Sequence, residues 1–356
     1  MTRSTVTADA LRCPHPPTPR PGERVVWYSG HKRMYGRFIG HRLDGKPLLI
    51  NQFESEVDMP SFDCLRLEQP LSRMGPMWED LSKAGAVYKA EPQEAAAFNE
   101  ILQQLTPPGP KYYELITEIW HRGYEVFLVG GTVRDIVAGQ PSKDVDLVTS
   151  MPIVKALPFL SSMYGYYSKP ALQEGYIRLG GDPTKGDPFI DLKVFCVADL
   201  GLPSAKFGAD FTIDVAHRDF ACNSVFYEPV NNLLIDPTGR GLSDAENRVL
   251  SFACDKERHR NQNIEKIFIR FFKFRARGFT HTEECFTTLH DDFLPHVGSL
   301  NRFDRLKYVR TQVLGKTPLP ERPQAMAAFK EAMLSCGFAN TWARYFDELA
   351  SEILGA

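Results

Sequence analysis

The chain has 356 residues, which is enough for two or three domains. Its 42 Lys and Arg residues nearly balance its 44 Asp and Glu residues, so no overall positive field marks a nucleic-acid partner, and any such contact requires a local basic patch. The seven cysteines are odd in number and include no C-x-x-C pair, which argues against a disulfide framework or a structural zinc site and fits a reducing cytoplasm.

The first 22 residues contain five prolines and mixed charges, and they lack the apolar core of a signal peptide. We therefore expect a disordered leader over residues 1–22. No apolar run in the chain approaches the roughly 20 residues that span a bilayer, so no membrane partner is expected.

Residues 23–70 are predicted to form a small β domain, for which an SH3-like barrel is our interpretation. Short strand-like runs alternate with glycines, and Asp44-Gly45 is a good hairpin turn signal. The first hairpin places Arg33 and Arg37 among aromatic residues. Such a mixture suits an RNA-binding surface, because cations contact phosphates and rings stack on bases. The alternative is an ordinary barrel core with solvated cations at its rim.

The rest of the chain changes character twice. Residues 71–110 are mostly helical in pattern and form a linker that ends in a proline-rich run. Residues 111–260 mix buried strands with helices, and residues 261–356 are helical. This order predicts an α+β protein, with a head of mixed sheet and helices followed by a helical neck and short body.

Two carboxylates mark the first chemical feature of the predicted head. Asp144 and Asp146 flank Val145, and residues i and i+2 of a strand point to the same face. Two carboxylates on one rigid face can hold Mg²⁺, a cation that prefers oxygen ligands. Two such ions can activate a 3′-hydroxyl and neutralise a triphosphate during in-line displacement. Alone, the D-x-D pattern is more often a cap, a turn or a solvated edge.

A glycine pair is the second feature. Gly130 and Gly131 follow the apolar strand 125–129 and open a helix. Glycine lets the backbone approach a phosphate closely, and a helix N-terminus offers free N–H groups. Most Gly-Gly pairs are simply turns, so this feature is equally weak by itself.

The joint pattern of these features is specific. The letters GGTVRD at residues 130–135 are followed by Gly139 and by DVD at residues 144–146. This stretch closely resembles the signature of bacterial-type tRNA nucleotidyltransferases, the CCA-adding enzymes, and of their poly(A) polymerase relatives. These proteins form the class II branch of the DNA polymerase β-like nucleotidyltransferases. The resemblance covers roughly residues 112–310 and is strongest up to Asn223.

The resemblance implies a role for each matching position. Asp191, in the letters IDLKVF at residues 190–195, takes the place of the third acidic residue beside the two Mg²⁺ ions held by Asp144 and Asp146. The residues implied to bind the nucleoside triphosphate are Gly130, Gly131, Arg134, Asp135, Asp214, Arg218 and Asn223. His217 replaces the first arginine of the family's R-R-D run, which puts one sugar or phosphate contact in doubt.

The helix that reads the incoming base departs from the family pattern. Counting back from Gly278-Phe279, the family letters E-D-x-x-R correspond here to Gln262, Asn263 and Lys266. Exchange of arginine for lysine at a bidentate site is not conservative, and asparagine can donate or accept, so base selectivity is expected to be altered or relaxed. A register error of one residue is the alternative.

Three cations follow on the same predicted helix. Lys266, Arg270 and Lys273 recur at i, i+4 and i+7 and therefore share one face. That face either meets RNA phosphates, with Arg270 and Lys273 as RNA-binding residues, or is solvated.

Three functions are compatible with these features. The first is template-independent addition of nucleoside monophosphates from nucleoside triphosphates, CTP and ATP by family default, to the 3′ end of RNA, with tRNA as the expected acceptor. The second keeps the chemistry but changes the acceptor to another RNA, a protein or a small molecule, since the long tail of typical members is not expected and a β domain is added. The third is an RNA-binding module without activity, which the intact carboxylates oppose. The oligomeric state stays open.

Overall fold

A computed structural model describes the chain in segments. The described residues are 19, 24–29, 32–41, 46–51, 55–58, 66–67, 86–104, 106, 111–120, 126–142, 145–151, 156–157, 160, 166–167, 176–180, 189–195, 211–229, 232–254, 264–315 and 317–354. The chain divides into two compact units. The first comprises residues 1–214 and 225–239, and the second comprises residues 215–224 and 240–356.

A five-stranded antiparallel sheet is formed by the N-terminal residues. Its strands are β1 (Arg24–Ser29), β2 (Lys32–His41), β3 (Pro47–Asn51), β4 (Glu56–Asp58) and β5 (Arg66–Leu67). Their order is β4-β3-β2-β1-β5, and within the described residues β4 and β5 do not pair with each other. The described sheet is thus open, and closure into a barrel stays a prediction. Of the predicted leader at residues 1–22, all but residue 19 lies outside the described residues.

One face of this sheet forms a small core. Val25, Trp27, Phe38 and Leu49 are buried together there. Gly36 is required beside them, because a Cβ at this position would lie 2.6 Å from the carbonyl oxygen of Ile50 and 3.0 Å from the Trp27 ring. The alternation of apolar and polar residues along β1 and β2 therefore produces the packing that a half-buried strand predicts.

The head contains an eight-stranded mixed sheet. Its strands are β6 (Ala86–Lys89), β7 (Val126–Val129), β8 (Asp146–Thr149), β9 (Tyr166–Tyr167), β10 (Tyr176–Gly180), β11 (Phe189–Val194), β12 (Phe226–Glu228) and β13 (Leu233–Asp236). The order is β6-β13-β12-β7-β8-β11-β10-β9, and β8 and β11 run parallel. Strand β6 lies within the segment that the sequence predicted as a helical linker, and it extends the head sheet by pairing with β13.

Four helices accompany the described strands of this unit. They are α1 (Pro92–Leu102), α2 (Tyr112–Trp120), α3 (Gly131–Val137) and α4 (Phe211–Ala216), the last of which reaches the unit boundary. Four phenylalanines from different elements fill the core beside the sheet. Phe127 makes edge-to-face contacts with Phe195, Phe211 and Phe226 at ring-centroid distances of 5.2–6.3 Å. Such geometry adds to the stabilisation from burial of apolar area.

The second unit is largely helical, as the sequence predicted. Its helices are α5 (Gly241–Asn247), α6 (Ile264–Ala276), α7 (Glu283–Thr288), α8 (Leu294–Ser299), α9 (Arg302–Tyr308), α10 (Arg322–Ser335), α11 (Ala339–Tyr345) and α12 (Asp347–Leu354). One π-helical turn, Leu289–Phe293, joins α7 to α8, and a second, Val309–Val313, extends α9. A short parallel pair, β14 (Val249–Leu250) and β15 (Thr280–His281), is the exception.

Helix α6 is the central element of this unit. It buries Phe268, Phe271 and Phe272, and Phe272 and Phe268 make edge contacts with Phe338. The mixed head sheet and this helical part confirm the predicted α+β class. In the described portion of the chain, no helix combines the length and apolar character needed to traverse a lipid bilayer.

Candidate active site

The turn between β7 and α3 brings the glycine pair against a carboxylate. Gly130 has φ +74° and ψ −132°, a conformation that is essentially restricted to glycine. A Cβ at Gly130 would lie 3.3 Å from Oδ2 of Asp146, closer than most real Cβ contacts. The glycine is therefore needed both for the backbone path and for the close approach of the turn to the Asp146 side chain.

The parallel pairing of β8 with β11 brings two of the predicted acidic residues side by side. Asp146 is the first residue of β8, and the register pairs it directly with Asp191 of β11. The Asp146 side chain is half-buried. The side chain of Asp191 and the whole of Asp144 lie outside the described residues. Strand pairing thus brings together the backbones of two residues that are 45 positions apart in the sequence.

The donor set fits a hard divalent cation. Among the described residues no three His, Cys, Asp or Glu side chains come together, and Asp146 is the only one of the three predicted metal-site carboxylates whose side chain is described. Carboxylate oxygens are the ligands that Mg²⁺ prefers. The space left by the missing Cβ of Gly130 keeps Oδ2 of Asp146 clear of a methyl group. Asp146 can therefore supply one oxygen ligand to Mg²⁺ at this position.

Arg134 and Asp135 form an ion pair on α3. Nε and Nη2 of Arg134 donate to Oδ1 of Asp135 at 2.8 and 2.7 Å, and the arginine is 4% exposed. Nη2 also lies near the start of the helix, 3.5 Å from where a Cβ of Gly131 would be. The pair therefore holds a guanidinium against the glycine turn.

Asp219 stands at the aspartate of the R-R-D run in which His217 replaces the first arginine, and it was not predicted as a site residue. It belongs to the second unit, and its Oδ2 accepts a hydrogen bond of 2.5 Å from Nε of Arg270. Its Oδ1 accepts bonds from the backbone N–H of Phe220 at 2.8 Å and from Nδ2 of Asn223 at 2.9 Å. Nη1 of Arg270 also reaches Oε1 of Gln312 at 3.4 Å.

These contacts determine the charge state of Asp219. Burial alone raises the pKa of the carboxyl, but the positive charge of Arg270 and the hydrogen bonds from Asn223 and Phe220 lower it more. The result is a pKa of about 2 in place of the usual 3.8. The network is thus a charged brace across the second unit. The family's R-R-D run could have pointed to Asp219 in the sequence. The residues around Arg270 gave no indication that it pairs with Asp219.

The other predicted nucleotide contacts fall in both units. Asp214 is buried at the end of the first unit, in α4. Arg218 and Asn223 lie in the second unit, where Asn223 is buried and Arg218 is half-buried. The bond from Asn223 to Asp219 shows that this asparagine braces the segment that contains the R-R-D run.

The structure covers part of the predicted base-reading helix. Gln262 and Asn263 lie outside the described residues, which begin again at Ile264. Lys266 is exposed and Lys273 is half-buried on α6. Arg270, predicted as an RNA contact, has its guanidinium on Asp219 and Gln312. In the N-terminal sheet Arg37 is exposed, whereas the side chain of Arg33 lies outside the described part.

Comparison with known proteins agrees with this geometry. Residues 126–251 match the family model described as the poly(A) polymerase head domain. This segment includes the glycine turn, Asp146, Asp191 and Asp219. Over these residues the match supports the predicted resemblance of the head to the class II tRNA nucleotidyltransferases and poly(A) polymerases.

Individual relatives are consistent with this assignment. A "multifunctional CCA protein" of Xylella fastidiosa strain M12 is 34% identical over 128 residues, which are 35% of this chain and 29% of the relative. A "CCA-adding enzyme" of Streptococcus pyogenes is 28% identical over 169 residues, 47% of this chain and 40% of the relative. The chain thus spans well under half the length of these two relatives.

A solved structure also aligns with the chain. The Bacillus stearothermophilus CCA-adding enzyme in complex with CTP aligns over 69% of this chain and 58% of its own, with a TM-score of 0.49 and 19% identity.

Proposed function

We propose that this protein adds nucleoside monophosphates from nucleoside triphosphates to the 3′ end of RNA, with tRNA as the acceptor. The observation that carries the proposal is the pairing of Asp146 with Asp191 on adjacent parallel strands, with the Gly130 turn against Oδ2 of Asp146. An acidic pair beside a glycine turn is suited to phosphoryl transfer, in which the protein contributes mainly positioning and charge stabilisation. The names of the relatives, which are CCA-adding proteins, support RNA as the acceptor.

Asp144 and Asp146, with Asp191 beside them, would hold two Mg²⁺ ions. When bound, these ions supply charge neutralisation of the triphosphate and lower the pKa of the attacking hydroxyl. The chain's own contribution is positional. The φ of Gly130 lets the backbone of the turn approach the triphosphate without a side chain in the way. Arg134, held by Asp135, presents a planar guanidinium suited to phosphate oxygens.

The predicted change in base selectivity remains part of the proposal. Asn263 and Lys266 stand where the family has a carboxylate and a guanidinium. Lys266 is exposed on the first turns of α6 and offers a single flexible ammonium rather than a fork of donors. We therefore expect weaker discrimination between C and A than a bidentate arginine provides.

The test is a nucleotide-incorporation assay. Purified protein is incubated with Mg²⁺, total RNA and each labelled triphosphate in turn, alongside Asp144→Asn and Asp146→Asn. Loss of one acidic residue is expected to lower incorporation at least about a thousandfold, because the developing charge is no longer balanced. Asp291→Asn is the matched control, since the Asp291 side chain is 61% exposed in the π-helical turn that follows α7 in the second unit.

Each result has a defined meaning. Labelled C and A in tRNA, absent from both site variants and retained in the control, supports addition of a CCA-type end. Labelling of tRNA with U or G to a similar extent supports relaxed selectivity at Asn263 and Lys266. Absence of labelled RNA with every triphosphate, while the control variant folds normally, contradicts the proposal.

A second candidate function keeps the chemistry and changes the acceptor to another RNA, a protein or a small molecule. The N-terminal five-stranded sheet favours it, because this domain is outside the segment that matches the family model. Sequencing of RNA that copurifies with the protein separates the two candidates: tRNA supports the first, and a different RNA or none supports the second.

A further inference from the structure

One face of the N-terminal sheet presents exposed side chains along β2. Tyr35, Arg37 and Ile39 alternate on this strand and all are exposed, Tyr35 by 36% and Ile39 by 40%. Phe38, between them, is buried in the core on the opposite face. With Arg24, these three residues form what we call the β2 face. Within the described residues, the core thus lies on one side of the sheet and the β2 face on the other.

Two arginines oppose each other directly on the β2 face. The antiparallel register pairs Arg24 of β1 with Arg37 of β2, and both are exposed. Directly opposed residues on neighbouring strands have Cβ atoms roughly 5 Å apart, so two positively charged side chains lie side by side on this face. Two neighbouring positive charges suit an anion that lies across both strands. Guanidinium groups suit phosphate oxygens because they donate in a planar fork.

The residues on either side of Arg37 are apolar or aromatic. Tyr35 lies two positions before Arg37, about 6.7 Å away along the strand, and Ile39 follows Arg37 where the register shifts between Phe38 and Gly40. A tyrosine ring that is open to solvent gives a base a surface for stacking, and an isoleucine adds apolar contact. Cations interleaved with stacking surfaces are the combination that single-stranded nucleic acids require.

The charged residues of the sheet limit where a single-stranded nucleic acid can lie on it. Glu56, on β4, is paired with Ile50, which in turn is paired with Arg37. The acid thus lies two strands away from Arg37, and the positive part of the surface lies over β1 and β2. An acidic protein segment would suit the two arginines but would make no particular use of an exposed tyrosine.

We propose that the β2 face binds a single-stranded segment of RNA, with Arg24 and Arg37 on phosphates and Tyr35 stacked on a base. This proposal rests on the proposed function, in that the RNA it holds is the acceptor. It adds a second binding surface that lies outside the segment matching the family model.

The experiment measures RNA binding by the full chain without triphosphate or Mg²⁺. A labelled single-stranded oligoribonucleotide is titrated at several salt concentrations, and the wild type is compared with Arg24→Gln/Arg37→Gln and with Tyr35→Ala. The double variant is expected to bind at least about tenfold more weakly and to lose about 1.4 from the slope of log K against log salt, as two phosphate contacts would predict. Tyr35→Ala should weaken binding about tenfold with an unchanged slope.

Matched variants separate a binding role from a structural one. Tyr35→Phe keeps the ring and should bind RNA as the wild type does. Arg37→Glu should weaken binding more than Lys330→Glu, an equal change of charge at an exposed lysine of α10. Circular dichroism and thermal unfolding establish that each variant is folded.

Several outcomes would overturn the proposal. One is equal RNA affinity of the wild type and the folded double variant. Another is competition by polyglutamate as strong as by RNA, together with no effect of Tyr35→Ala, which would assign the face to an acidic protein. Failure of the proposed function is distinguishable, because it abolishes nucleotide incorporation while leaving this binding assay unaffected.

Discussion

Asp219 and Arg270 are 51 residues apart in sequence and are joined by a hydrogen-bonded ion pair of 2.5 Å in the second unit. The side chains are only 12% and 27% exposed, so the pair is poorly screened by water. The carboxylate also accepts hydrogen bonds from the side chain of Asn223 and from the backbone N–H of Phe220. The segment between α4 and β12 is thereby bonded to helix α6 through the carboxylate of Asp219.

Removal of either partner is expected to destabilise the second unit. Asp219→Asn or Arg270→Gln should each lower the free energy of unfolding by roughly 2–4 kcal/mol, because the remaining partner stays partly buried without its counter-charge. A double-mutant cycle by urea unfolding should give a coupling energy of about 1–3 kcal/mol. Arg302→Gln is the control, since its pair with Glu352 is 56% and 36% exposed and should matter by less than about 1 kcal/mol. Equal effects of Arg270→Gln and Arg302→Gln would contradict this assignment.

The same carboxylate predicts a pH dependence of stability. The pKa of Asp219 is lowered to about 2, so its stabilising effect is fully present above about pH 4 and is lost as pH falls towards 2. By pH 3 the wild type should have lost about 1 kcal/mol from this group. The difference in unfolding free energy between the wild type and Asp219→Asn should therefore shrink by that amount from pH 5 to pH 3. A constant difference over this range would show that the carboxyl titrates normally.

Two glycines of positive φ provide a matched pair for the candidate active site. Gly130→Ala places a methyl group 3.3 Å from Oδ2 of Asp146 in a conformation that alanine rarely adopts, whereas Gly139→Ala at φ +67° meets no atom within 4 Å. We expect each to cost roughly 1–3 kcal/mol of stability through backbone strain. Only Gly130→Ala should also reduce nucleotide incorporation, by at least about a hundredfold. Similar activity of the two folded variants would show that the approach of the turn to Asp146 is not functional.

The phenylalanine cluster of the head predicts a large packing effect. Phe127→Ala should lower the unfolding free energy by roughly 3–5 kcal/mol, because the side chain is buried against three other rings and a cavity would remain. Phe303→Ala is the control, since Phe303 is 73% exposed and should change stability by less than about 0.5 kcal/mol. Urea unfolding of both variants measures the difference. A cost below 1 kcal/mol at Phe127 would mean that the head core repacks easily.

The candidate active site was predictable where its residues lie close together in the sequence. Gly130 and Asp146 are only 16 positions apart in the sequence. The glycine turn and the D-x-D pattern are therefore recognised from neighbouring residues that form one strand, one turn and one helix. Periodicity likewise indicated the α+β class, because burial of one face of a helix or strand leaves a repeating pattern. Strand β6 was not predicted, since a four-residue strand carries too little pattern to outweigh the helical residues around it.

Only the tertiary structure decided which distant residues meet. The sequence by itself determined that Lys266, Arg270 and Lys273 share a helical face, because helical spacing depends on neighbours along the chain. It did not determine that Arg270 is bonded to Asp219 or that Arg24 opposes Arg37, since a pairing of charges depends on how separate segments pack and on strand register. Local patterns therefore indicated the candidate chemistry, and long-range packing placed three arginines, one in an internal brace and two on an exposed surface.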